Sequence, residues 1–262
     1  MNIDVLAEDD DSIRFVLEDA TPAFANALRR TMIAKVPTMA VKEVDFVDNT
    51  SGLFDEMVAH RLGMVPWTFP AGEYNLPEEC DCDDGCKDCQ VTLVLEREGE
   101  ASVTAADLKP TDKQVETPNP DILIAKLLDG QEMELEAHAV LGRGEDHAKH
   151  QAANAAYRYR PVVTVNGDEV DNAVEAARLA PDAVRDADGA VEADDDIVYA
   201  MEDAIDVEEG DEVELVEQDD AFIFTVESVS GLEPREIMER AADILEEELD
   251  SFEDAAKDAL SA

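Results

Sequence analysis

Residues 12–31 read Ser-Ile-Arg-Phe-Val-Leu-Glu-Asp-Ala-Thr-Pro-Ala-Phe-Ala-Asn-Ala-Leu-Arg-Arg-Thr, and they hold two elements and the joint between them. Ile13, Phe15 and Leu17 alternate as one face of a half-buried strand. Thr21 can accept a hydrogen bond from the first helical turn. Pro22 loses nothing at the first helical position, where the amide has no intrahelical partner. The helix this starts has Phe24, Ala27, Leu28 and Thr31 on one side and Asn26, Arg29 and Arg30 on another. It stops ahead of Pro37, because a proline pushes the residue before it out of the helical region. Ile3 to Leu6 forms a further strand upstream, joined through the acidic turn Glu8 to Asp11.

Downstream, Val41 to Val47 reads as a strand, Asn49 to Gly52 as a loop, and Leu53 to Leu62 as a helix ended by Gly63. From Val65 to Leu141 prolines punctuate strand-like runs at Val91–Glu96, Ile122–Leu128 and Met133–Leu141. In the last of these, Met133, Leu135, Ala137, Ala139 and Leu141 alternate strictly. Residues 167–215 predict an acidic unit of short helices and strands, and Ala221 to Val229 a strand with Phe222, Phe224 and Val226 on one face. The last element is a helix from Pro234 to Leu260. Its stripe is Met238, Ala241, Leu245, Leu249, Phe252, Ala256 and Leu260. Such a helix is about 39 Å long, more than a small domain is wide, so part of the stripe should overhang its own core and seek another chain. The fold class expected is α+β.

Composition narrows the function. The chain has 262 residues, with 66 acidic against 20 basic and a formal charge of −46. Nucleic-acid phosphate would repel it, so no direct nucleic-acid binding is expected of this chain alone. Scarce lysine and dense acid suit concentrated salt, where the Debye length falls to about 3 Å and self-repulsion is screened. The acid is uneven: 22 acidic and two basic residues occupy 168–220, whereas 12 acidic and six basic occupy 1–70. The less acidic segment is the one expected to be covered by other protein. No apolar run is long enough to span a bilayer and Met1 to Ser12 has no signal-peptide character, so a cytoplasmic chain without membrane contact is expected.

Four cysteines stand within ten residues, at Cys80, Cys82, Cys86 and Cys89, with Gly85 allowing a tight turn. Disulfides would be spread out to close long loops, so the chain reads as reduced. Four soft ligands suit a closed structural zinc site, while the unequal gaps leave room for a [4Fe–4S] cluster. A standalone metal or redox protein centred on this loop is the alternative function. His147 and His150 are spaced like helical metal ligands but have no third ligand nearby, and read as surface or core residues. Tyr157-Arg158-Tyr159-Arg160 mixes aromatic and basic residues but reads as an interface-facing strand. Runs such as Asp194-Asp195-Asp196 arise easily in so acidic a chain. There is neither a GxxxxGK[ST] phosphate loop nor a GxSxG elbow, and no catalytic residue is assigned.

Three blocks carry a resemblance. Phe15-Val16-Leu17, Asn26-Ala27-Leu28-Arg29-Arg30, Val36-Pro37 and Ala40-Val41 form the first. His60-Arg61-Leu62-Gly63-Met64-Val65-Pro66 is the second, and Gly142-Arg143-Gly144-Glu145-Asp146-His147-Ala148-Lys149 the third. In this order they resemble the assembly subunits of cellular DNA-directed RNA polymerases: the bacterial α subunit, its eukaryotic third-subunit relative and their archaeal D-like counterpart. The likeness runs from about residue 3 to 262, and with the acidity it is most similar to the counterpart in a salt-loving archaeon. It implies a discontinuous α/β dimerisation domain (1–48 with 221–262), an inserted β-rich domain (49–166) and a ferredoxin-like third domain (167–220). It implies a non-catalytic platform within a nucleotidyltransferase complex. The platform would pair with a small L-like subunit and gather N- and P-like small subunits and the large catalytic subunits. Asn26, Arg29, Arg30, His60 and Arg61 would dock the large subunits. Phe24, Leu28, Met238, Ala241, Leu245, Leu249 and Phe252 would form the dimer seam. The resemblance favours one structural zinc on Cys80, Cys82, Cys86 and Cys89. Relatives with iron–sulfur clusters bind them through cysteines of the third domain; 167–220 has none, so no such cluster is expected there.

Overall fold

Asp9 closes the first hairpin, its carboxylate accepting the amides of Asp11 at 3.1 Å and Ser12 at 2.7 Å. The computed structural model describes residues 1–82, 85–166, 168–169, 190–192 and 212–261. The strands are β1 Asn2–Glu8, β2 Ser12–Glu18, β3 Thr38–Asn49, β4 Gln90–Glu98, β5 Ala101–Thr104 and β6 Lys109–Pro110. Then come β7 Leu123–Leu127, β8 Glu132–Gly142, β9 Ala153–Val165, β10 Asp168–Glu169, β11 Ala190–Glu192 and β12 Glu212–Ser228. The helices are α1 Pro22–Ala34, α2 Asp55–Gly63 and α3 Pro234–Ser261. The fold is α+β, as expected.

The chain divides into two compact units. The first takes Met1–Glu8, Arg14–Asn26 and the described part of Ala156–Thr225. Its sheet runs β1-β2-β12-β9-β10, with β11 against β12. Phe15 and Phe224 stack with ring centroids 5.0 Å apart, and Tyr157 and Tyr159 close on Phe222 at 5.4 and 5.2 Å. The tyrosines of the aromatic–basic run thus serve the core, and Arg160 pairs with Glu18. Thr21 caps α1 as expected, its hydroxyl accepting the Phe24 amide at 3.2 Å.

The second unit takes Asp9–Ile13, Ala27–Ala155 and Val226–Ala262. Here β3-β8-β4-β6 form one antiparallel sheet, and β5 pairs with β7. The strict alternation in β8 is borne out: Met133, Leu135, Ala137, Ala139 and Leu141 all enter the core with Leu93, Leu95, Trp67 and Leu62. α3 is fastened at its start, where Leu232, Ile237 and Ala241 are buried.

Three details differ from the sequence reading. The buried side of α1 is Ala25, Leu28, Thr31 and Met32, with Phe24 and Ala27 half-buried. Both sets recur at helical spacing, so periodicity alone does not choose between them. β9, expected at the end of the inserted unit, is a sheet neighbour of β12. β12 itself runs through the expected boundary at 220 and 221. Most of 167–220, with the ferredoxin-like domain expected there, lies outside the described residues.

Candidate metal centre and the surrounding surface

A single turn at Pro77–Glu79 leads into the cysteine loop. Arg143 holds it in place, its guanidinium 2.8 Å from the Glu78 carboxylate and 3.5 Å from that of Glu79. The loop ends at Cys89, which is buried directly ahead of β4. All four cysteines are free thiols and their sulfurs lie within 4.8 Å of one another. Cys80 and Cys86 sulfurs are 3.6 Å apart, Cys82 and Cys89 3.4 Å, and Cys86 and Cys89 3.9 Å. A disulfide would need about 2.05 Å. Around a tetrahedral ion with bonds of about 2.3 Å, sulfurs sit about 3.8 Å apart. The spacing therefore fits a four-coordinate metal held by sulfur alone.

Local hydrogen bonds prepare that geometry. The Cys86 amide donates to the Cys89 sulfur at 3.3 Å, and the Cys89 and Gln90 amides donate to the Cys86 carbonyl at 3.0 and 2.8 Å. The Asp88 amide, then Cys80, hold the Cys86 thiol below its ordinary pKa, whereas burial raises that of Cys89. Four thiolates this close repel one another without a cation between them. Gly85 has φ +89°, and a Cβ there would meet the Gln90 side-chain oxygen at 2.3 Å.

The third resemblance block is a structural clamp. A Cβ on Gly144 would lie 2.4 Å from the Ile33 carbonyl oxygen, and the Glu145 amide donates to Ala34 at the end of α1. Lys149 donates to the Val41 carbonyl at 2.9 Å. His150 is buried, with Nδ1 3.0 Å from the Thr38 carbonyl oxygen, and burial lowers its pKa. His147 is exposed and accepts the Lys149 amide, so each histidine has its own local partner.

Residues 44–163 match the RNA polymerase Rpb3/RpoA insert domain. The DNA-directed RNA polymerase subunit Rpo3 of Halobacterium salinarum is 37% identical, over 98% of this chain and 97% of the relative. The Rpo3 subunits of Pyrococcus horikoshii and Methanosphaera stadtmanae are 39% and 34% identical, each over 96% of this chain and 96% and 97% of their own lengths. The chain belongs to the Rpo3 family.

Within that family frame the expected docking residues fall into two groups. Arg30 and His60 are exposed, while Asn26, Arg29 and Arg61 are half-buried. Arg61 donates to the Ile124 carbonyl at 2.6 Å and ties α2 to β7. Sequence reasoning missed three exposed apolar residues on or beside α2, namely Phe54, Met57 and Met64. Their spacing of three and seven was the available signal.

The expected dimer residues divide likewise. Leu28 and Ala241 are already buried inside this chain. Phe24, Met238 and Leu245 are half-buried, and Leu249 and Phe252 are 65% and 72% exposed. Among the described residues no helix is long and apolar enough to cross a membrane.

Proposed function

We propose that this chain is the non-catalytic assembly platform of a DNA-directed RNA polymerase. The observation that carries the reading is the far end of α3, where Leu249 and Phe252 stand in solvent on a helix whose start is buried. Large apolar side chains left out on one stripe are a surface for another protein. A small L-like subunit with its own amphipathic helices is the partner that fits. N- and P-like subunits and the large catalytic subunits would then assemble on the pair. Arg30 and His60, with Phe54, Met57 and Met64, are the surface residues best suited to the large subunits. A guanidinium and an imidazole beside apolar side chains combine direction with buried area.

Cys80, Cys82, Cys86 and Cys89 would hold one zinc ion per chain. A filled four-thiolate shell keeps no place for a reactive water, so the ion would pin the loop that leads into β4. The charge of −46 supports work in concentrated salt inside the cell. The test is co-expression with the small subunit at high salt, followed by size exclusion and metal analysis. A one-to-one complex with one zinc supports the reading, and a chain that stays monomeric beside its partner overturns it.

A further inference from the structure

Gln90 opens β4, His138 stands in β8 and Asp45 in β3. The strand register sets Thr92 opposite His138, Gln90 opposite Val140 and Glu43 opposite His138. These side chains therefore form a row across three strands, on the face away from Leu135, Ala137 and Ala139. Within the row, the Gln90 amide nitrogen is 2.9 Å from His138 Nδ1, and His138 Nε2 is 3.1 Å from the Asp45 carboxylate. The Thr92 hydroxyl adds a contact to Nδ1 at 3.3 Å. A carboxylate only accepts, so Nε2 carries the imidazole proton and Nδ1 accepts from Gln90.

That arrangement turns the Gln90 carboxamide oxygen onto Gly85, in the space that a Cβ there would enter. Gln90 thus meets the loop twice, its side chain packed beside Gly85 and its backbone amide donating to the Cys86 carbonyl at 2.8 Å. We propose that His138 is a positioning residue for the metal loop, fixing Gln90 so that Gly85 and the ligand Cys86 are set before the metal arrives. The proposal rests on the reading that the four cysteines hold a metal. Partners that orient a metal site from outside its ligand shell typically change affinity by about 10–100-fold when removed.

The test is zinc release from the full-length chain into excess chelator, followed with a metal indicator. His138→Ala and Gln90→Ala should each release zinc at least about tenfold faster, and the double variant little faster than either. His138→Gln should recover most of the wild-type rate, because its amide can accept from Gln90 and donate to Asp45. Leu95→Ala, a core change remote from the loop, should lower the unfolding midpoint without speeding release. Release from His138→Ala at the wild-type rate would overturn the proposal, as would acceleration by Leu95→Ala in step with its lost stability. A wild-type chain that takes up no zinc would overturn the metal reading itself, and the proposal with it.

Discussion

The Arg61 guanidinium reaches the carbonyl oxygen of Ile124 at 2.6 Å, so a residue expected on a docking surface is part of the protein's own frame. Its position in the last turn of α2 also sets a cation against the negative end of the helix. Arg61→Ala should cost about 1.5–3 kcal/mol, the range for a hydrogen bond from a charged group. Denaturant unfolding of the variant checks this. An unchanged midpoint combined with lost large-subunit binding would assign Arg61 to docking rather than to the frame.

Glycines should divide by what surrounds them. A Cβ on Gly144 would lie 2.4 Å from the Ile33 carbonyl oxygen, and one on Gly231 2.0 Å from that of Trp67, both backbone atoms that cannot swing aside. Alanine at either position should destabilise by about 1–3 kcal/mol or prevent soluble expression. Gly52 has nothing within 4 Å of a new Cβ, so Gly52→Ala should stay within about 0.5 kcal/mol of wild type. Thermal melts of the three variants make the comparison.

Residues of the expected dimer seam should separate stability from association. Leu28 is buried in the chain, and Leu28→Ala should cost about 2–5 kcal/mol whether or not a partner is present. Phe252 is 72% exposed, so Phe252→Glu should leave folding nearly unchanged and abolish pairing. Unfolding curves and pull-down with the small subunit report the two effects independently.

His150 predicts a pH dependence. Its pKa is lowered from 6.5 on folding, chiefly by burial, so below about pH 6.5 the unfolded chain binds a proton that the native chain resists. Stability from this group is present above pH 6.5 and falls as pH drops toward the lowered native value. His150→Gln should lose stability at neutral pH and flatten that part of the pH profile. Unfolding midpoints from pH 7.5 to 5 measure the slope.

Much of the frame was legible because its periods are local. Met133, Leu135, Ala137, Ala139 and Leu141 alternate and all reach the core, and the α3 stripe passes from half-buried Met238 and buried Ala241 to exposed Leu249 and Phe252 on one helical repeat. The cysteine centre was legible for the same reason, with four ligands within ten residues. β9 was harder. Its Ala-Asn-Ala-Ala start lacks β-branched residues, and one of its two sheet neighbours, β12, lies far along the chain. The Gln90–His138–Asp45 row was invisible, because its bonds join residues 48 and 93 positions apart that only strand register brings together. Arg61 was placed on the right helix, but which side chain meets which carbonyl is a tertiary fact.

Native mass spectrometry from concentrated volatile salt, comparing the chain expressed alone with the chain co-expressed with its small L-like subunit, weighs the whole account. It should give a heterodimer of one copy each, and self-associated or aggregated species when the chain is alone. A monodisperse, folded monomer that ignores the small subunit would contradict it.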